Sequence, residues 1–252
     1  MVSGFAASGI TASDSAGAGA KARAAIGAGT VCVWRLASVS AIDYALVRDN
    51  CLSGDEAVHA ARLHRDRDRR QYIAAHVLMR SVLAMCLDLE ARDLHFSANR
   101  FGKPRLVAPR PAQQLSFNLS HTDDIALFAC GAQRAIGVDV ERIEASPAAQ
   151  SARNWLSPGE RQKLASLRGM ARRRAWYAAW CRKEAWLKAR GCGFARRADS
   201  IEVELLPDRP ACLLTPSVRA WSLHDLDAGP GYAAALAVHG RVNSIAMRDW
   251  PE

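Results

Sequence analysis

Apolar residues recur at helical spacing along residues 68–87. Ile73, Val77, Leu78, Val82 and Cys86 fall on one face there and predict a helix. Residues 55–64 read as a shorter helix before it. Residues 31–34, 94–97, 115–119, 125–130 and 135–140 are short apolar or alternating runs and predict strands. A turn at Phe101-Gly102-Lys103-Pro104 follows the second run, and a polar turn at 131–134 joins the last two. Beyond residue 150 the period is helical again. Ser157-Pro158-Gly159-Glu160 carries an N-cap residue, a proline at the first helical position and a capping-box glutamate. A second long helix runs over about 172–190 and stops at Gly191-Cys192-Gly193. Strands are expected near 201–205, 218–223 and 232–238. Helices mixed with mostly antiparallel strands make an α+β arrangement.

Residues 1–30 follow neither period. Ala, Gly and Ser fill 20 of those 30 positions, and the only charges are Asp14, Lys21 and Arg23. No early basic region leads into a continuous apolar core, so the segment does not read as a secretory signal. It is expected to be a flexible tail, or upstream sequence from a misplaced start codon. The organisation is then a tail over 1–30, one α+β half over 31–132 and a second over 133–252. No sequence repeat between the halves is strong enough to prove a duplication.

The chain has 252 residues, 50% hydrophobic and 23% charged, which is globular composition and excludes disorder along its whole length. No run of eighteen apolar residues occurs, so no membrane-spanning helix is expected. Seven cysteines with no CxxC pair argue against a disulfide framework or structural zinc, and for reduced thiols in a cytoplasm. The net charge of +9 points to an anionic partner without choosing which. Much of it lies in two runs. Arg62, Arg65, Arg67, Arg69 and Arg70 face only Asp66 and Asp68, and residues 160–190 hold ten basic residues against Glu160 and Glu184. Such runs are usually solvated helix faces. A nucleic-acid-binding module is the alternative they raise, but the aromatic-interleaved strand motifs of common RNA binders are missing.

Three segments carry candidate chemistry. In Gly137-Val138-Asp139-Val140-Glu141 the two acids are two apart on a strand and project from one face. Two like charges there either end the strand in solvent or are neutralised by a hard cation such as Mg²⁺. In Trp180-Cys181-Arg182-Lys183-Glu184-Ala185-Trp186-Leu187-Lys188, Glu184 and Lys188 share a helix face. That pair is either a surface ion pair or, since tryptophans flank it, a ligand or base beside a phosphate-binding lysine. In Phe117-Asn118-Leu119-Ser120-His121 a polar cluster ends an apolar strand, and Ser120 and His121 with Lys103 could line an anion pocket. No G-x-S-x-G elbow supports a serine hydrolase. With no P-loop and no G-x-G-x-x-G, phosphate binding would fall to side chains and metal.

The order and spacing of these pieces resemble the 4′-phosphopantetheinyl transferases of the surfactin-synthetase-activating type. Phe101-Gly102-Lys103-Pro104 precedes Phe117–His121, then the G-x-D-x-E at 137–141, then W-x-x-K-E-x-x-x-K at 180–188. The similarity spans about 62–193. It implies two similar α+β halves with the active site in the cleft between them. It implies a holo-acyl-carrier-protein synthase activity, moving phosphopantetheine from coenzyme A to a serine of an apo acyl or peptidyl carrier of fatty acid, polyketide or nonribosomal peptide synthases. By motif match, Asp139, Glu141 and Glu184 would hold Mg²⁺. Lys188 would assist departure of 3′,5′-ADP, and Glu184 would be the base for the serine, directly or through water. Lys103, Ser120 and His121 would contact the adenosine phosphates. The family usually carries an arginine where Gln71 stands, and Arg69 or Arg70 would take its place on coenzyme A. A non-catalytic carrier-binding homologue is the other reading, against which the complete Asp139, Glu141, Glu184 and Lys188 set speaks. Two halves in one chain complete the site, so a cytoplasmic monomer that binds neither nucleic acid nor membrane is expected.

Overall fold

The computed structural model describes residues 12–37, 51–108, 115–132, 135–145, 155–193, 197–215 and 220–250. It is an α+β fold with a four-stranded sheet, a three-stranded sheet and a separate two-stranded hairpin. After helix α1 (Ala12–Gly27) come strand β1 (Thr30–Leu36), helices α2 (Gly54–Arg62) and α3 (Asp66–Leu87), the hairpin β2 (His95–Ala98) and β3 (Pro104–Ala108), then β4 (Leu115–Thr122) and β5 (Ile125–Ala132). The chain continues through β6 (Ile136–Arg142), helices α4 (Pro158–Ser166) and α5 (Gly169–Arg190), and strands β7 (Trp221–Asp225), β8 (Tyr232–His239) and β9 (Ser244–Asp249). Both long helices and most strands stand where the periodicity puts them. The strand expected at 201–205 is reduced to a single bridge between Val203 and Leu213. Among the described residues no disulfide forms, and no helix is long and apolar enough to cross a membrane.

The repeat that the sequence hides is plain in the topology. The first sheet runs β4-β5-β1-β9 and the second β6-β8-β7. Setting β9 aside, β1, β4 and β5 correspond in order and pairing to β6, β7 and β8. Each half sets a nine-residue helix before a 22-residue helix. Each nine-residue helix opens on a capping box, Ser53 with Glu56 and Ser157 with Glu160. Each capping glutamate then receives a buried cation from the same position of the long helix that follows. Arg80 Nε donates to Glu56 at 2.6 Å, and Lys183 Nζ donates to Glu160 at 2.5 Å. A capping box needs only Ser-x-x-Glu, so it tolerates complete divergence around it.

The C-terminal strand crosses this division. β9 adds in parallel to β1, where Arg35 forms a two-pronged ion pair with Asp249 at 2.6 and 3.1 Å. Parallel edges leave little alternation to read, and residues 244–249 are only half-buried for the most part. Helix α1 also departs from expectation, because residues 12–27 form a helix where a flexible tail is expected. Its small residues allow close approach to α3. A Cβ on Gly19 would stand 2.8 Å from the Met85 carbonyl, to which Arg23 donates at 2.8 Å. Ala22 and Ile26 are buried in the first-half core. Residues 1–11 lie outside the described residues.

Candidate active site

The site forms where β6 meets α5. A Cβ on Gly137 would lie 2.0 Å from the Ala185 carbonyl oxygen and 2.3 Å from the Ala189 nitrogen. Only glycine lets the helix lie flush on the strand there, which explains the first letter of the G-x-D-x-E pattern. The crossing brings Asp139, two residues along the strand, against Lys188 at the end of the helix. Lys188 Nζ donates to Asp139 Oδ1 at 2.6 Å and to Ser120 Oγ at 2.8 Å. Ser120 Oγ in turn donates to Asp139 Oδ1 at 3.0 Å. Asp139 is 2% exposed, and its second oxygen, Oδ2, is buried with no partner. A buried acceptor left unpaired is costly, so this one marks a place where a cation or donor belongs.

Two more carboxylates share this environment. Glu184 is buried one turn before Lys188. Burial and the Asp139 charge push its pKa up to about 7, against the pull of Lys188. Burial and Asp139 raise Glu141 as well, while Trp180 and Thr122 hydrogen-bond its carboxylate. Trp180 is fixed by stacking on Trp155 at 4.3 Å and by Trp176 at 5.7 Å. Burial works against the Lys188 charge, but Asp139 outweighs it and holds the ammonium protonated above its ordinary range.

The first half contributes from β4. Asn118 and Ser120 alternate onto one face, where Asn118 Oδ1 accepts from the Val138 amide at 2.8 Å. Ser120 Oγ lies 3.4 Å from the Val140 amide. Side chains of one half therefore satisfy the open strand edge of the other. The Asn-x-Ser spacing thus places two side chains against the β6 edge. Ser120 lies in the carboxylate cluster, whereas it was expected at the adenosine phosphates. His121 points to the opposite face of β4 and is exposed. Partial desolvation of its ring, then the Lys188 and His76 charges, lowers its pKa. Arg70 is exposed in the first turns of α3.

Lys103 departs most from expectation. Its ammonium points at backbone, donating to the carbonyls of Ile136 (2.7 Å), Lys188 (2.7 Å) and Ala189 (3.1 Å). An ammonium has three protons, and all three are used. It is not available to an adenosine phosphate in this arrangement.

Among the described residues no group of three His, Cys, Asp or Glu side chains stands ready-made around a metal position. The donor chemistry still fits a hard divalent cation. The Asp139 charge raises the proton affinity of both Glu141 and Glu184, and its own buried Oδ2 has no partner. Lys188 now supplies the positive charge that Asp139 needs. A cleft of roughly 540 Å³ opens at the start of α5 beside Ile143, Met170, Arg174 and Tyr232, and the carboxylates do not line it.

Comparison with known proteins agrees with this arrangement of motifs. Residues 135–237 match the family described as the 4′-phosphopantetheinyl transferase superfamily, and residues 40–133 match the 4′-phosphopantetheinyl transferase N-terminal family. The 4′-phosphopantetheinyl transferase HetI of a Nostoc species is 36% identical over 190 residues, covering 75% of this chain and 79% of that protein. The 4′-phosphopantetheinyl transferase Sfp of Bacillus subtilis is 25% identical over 202 residues, covering 80% of this chain and 85% of its own. The L-aminoadipate-semialdehyde dehydrogenase-phosphopantetheinyl transferase of Xenopus laevis is 28% identical over 167 residues, 62% of this chain and 55% of that one. With HetI 36% identical over 75% of this chain, and Asp139, Ser120 and Lys188 of the motifs brought together, the chain belongs to the 4′-phosphopantetheinyl transferase superfamily.

Proposed function

We propose that this protein transfers the 4′-phosphopantetheine group of coenzyme A to a serine of an apo acyl or peptidyl carrier protein, with Mg²⁺, and releases 3′,5′-ADP. The observation that carries the reading is the buried Asp139 carboxylate. One of its oxygens is held by Lys188 and Ser120 and the other is unpartnered. Phosphoryl transfer asks for positioning and charge neutralisation more than for covalent catalysis, and this cluster supplies both.

In this reading Asp139, Glu141 and Glu184 would hold the cation, which would supply positive charge to the pyrophosphate of coenzyme A. The serine oxygen bonds to the phosphorus that carries the pantetheine as the bond from that phosphorus to the ADP oxygen breaks. Glu184 takes the serine proton, directly or through a bound water. Lys188 lies at the edge of the cluster, where its ammonium can pass from Asp139 to the departing phosphate. His121 and Arg70, both exposed on the first half, contact the adenosine phosphates. The net charge of +9 attracts acidic carriers and weakens their docking as salt rises. The two halves complete the site within one chain, and the protein acts as a monomer in the cytoplasm.

The test is the intact mass of apo acyl and peptidyl carrier proteins after incubation with the protein, coenzyme A and Mg²⁺. A gain of one phosphopantetheine that EDTA abolishes is the expected result. Coenzyme A binding without mass gain on carriers of all three synthase types would overturn the catalytic reading in favour of a carrier-binding homologue. Running those carriers side by side also ranks the acceptors.

A further inference from the structure

We infer that Lys103 is a positioning residue that clamps the end of α5 onto β6 and so sets Lys188 against Asp139. The inference rests on the proposed transferase reading for what Lys188 does, but not for the clamp itself. The last carbonyls of an α-helix have no partner within the helix, and a cation at that end is doubly favoured by hydrogen bonding and by the helix dipole. Lys103 provides this from 85 residues away in sequence. It takes the carbonyls of Lys188 and Ala189 on the helix and of Ile136 on the strand. All three flank the contact between Gly137 and Ala189, where helix and strand approach most closely. The lysine thus bridges the crossing from which Asp139 and Lys188 project.

The hairpin turn is built to hold it. Asn99 Oδ1 accepts from the amides of Phe101 (2.9 Å) and Lys103 (3.0 Å), fixing the turn. Gly102 has a φ of 84°, a conformation that glycine adopts without strain. Asn99 Nδ2 then donates to the carbonyl of Gly191, the left-handed cap of α5, at 2.8 Å. A Cβ on Gly191 would stand 3.0 Å from Asn99 Nδ2 and 3.2 Å from Lys103 Cδ. The Phe-Gly-Lys-Pro turn of the first half is therefore a glove around the last turn of the helix that carries Lys188. In the full protein, Lys103→Met keeps the length of the side chain and removes the three donors.

Two readouts separate a clamp from a phosphate contact. Without any ligand, amide exchange over residues 187–193 should quicken by about tenfold or more in Lys103→Met, stay near wild type in the donor-retaining Lys103→Arg, and rise less in Asn99→Ala. With substrate, kcat should fall by roughly tenfold for both coenzyme A and 3′-dephospho-coenzyme A, leaving the kcat/KM ratio between the two unchanged. Exchange that stays at the wild-type rate in Lys103→Met would overturn the clamp. So would loss of discrimination between coenzyme A and its 3′-dephospho form, since that is the signature of a lost phosphate contact. Should the wild-type protein transfer nothing, the transferase reading fails while the exchange comparison still decides the clamp. Should Lys103→Met not fold, Lys103→Gln, whose shorter side chain cannot span the three carbonyls, carries the same exchange test.

Discussion

Asp139 and Gly137 sit two residues apart, and substitutions at the two should separate chemistry from architecture. Asp139→Ala removes the carboxylate whose Oδ2 has no partner and releases Lys188, whose side chain is 30% exposed and can reach water. The expected outcome is loss of carrier modification with a near-native circular dichroism spectrum and melting temperature. Full retained transfer would refute the assignment of Asp139 to the cation. Gly137→Ala does the opposite first. Its Cβ meets the backbone of α5, which has no rotamer to escape with, so a cost of about 2–3 kcal/mol or more is expected in denaturant unfolding. Gly54→Ala, with open space around its Cβ, is the control and should cost next to nothing.

At the scale of elements, each long helix is pinned by one buried cation on a capping glutamate, and the two pins differ in what breaks them. Lys183 and Glu160 are both fully buried, and Lys183 also donates to the carbonyls of Trp155 and Ala198. Lys183→Met strands the Glu160 charge in the core and should cost roughly 3–5 kcal/mol of unfolding free energy. Glu56 lies nearer the surface. Burial alone would raise its pKa, but hydrogen bonds from His76 and the Ser53 amide, with the Arg80 charge, hold it down to about 2. A carboxyl with a folded pKa below its ordinary 4.5 binds fewer protons folded than unfolded. Its contribution is therefore whole above about pH 4.5 and is lost as pH falls towards 2. Glu56→Gln should flatten that part of the acid-unfolding profile, and an unchanged profile would show that Glu56 is not responsible. These helices and their boxes were legible in the sequence because capping and periodicity act over a few residues. The same locality explains what was not. Lys103 finds its carbonyls 33, 85 and 86 residues away. β9 finds β1 across the whole chain, and α1 hides a packing surface in residues whose smallness reads as flexibility.

The molecule as a whole is two repeats that cannot be parted at the boundary the composition suggests. β1 is the counterpart of β6, and β9 from the far end of the chain pairs along its otherwise free backbone edge. Among the described residues β6 has no strand on its other edge, where Asn118 and Ser120 of β4 meet its amides instead. Each half therefore lends the other the means of closing a strand edge, and an open apolar edge is a template for aggregation. A fragment of residues 31–132 would expose the β1 edge and lose the Arg35–Asp249 pair. A fragment of residues 133–252 would leave the Val138 and Val140 amides without their partners and α5 without its Lys103 cap. Neither is expected to give a dispersed amide spectrum alone, and co-expression of the two should recover soluble, coenzyme A-dependent transfer. A folded 31–132 fragment would mean that β9 merely decorates the sheet. In that case truncating the full chain after residue 240 should leave its unfolding free energy intact, whereas a structural β9 makes the same truncation strongly destabilising.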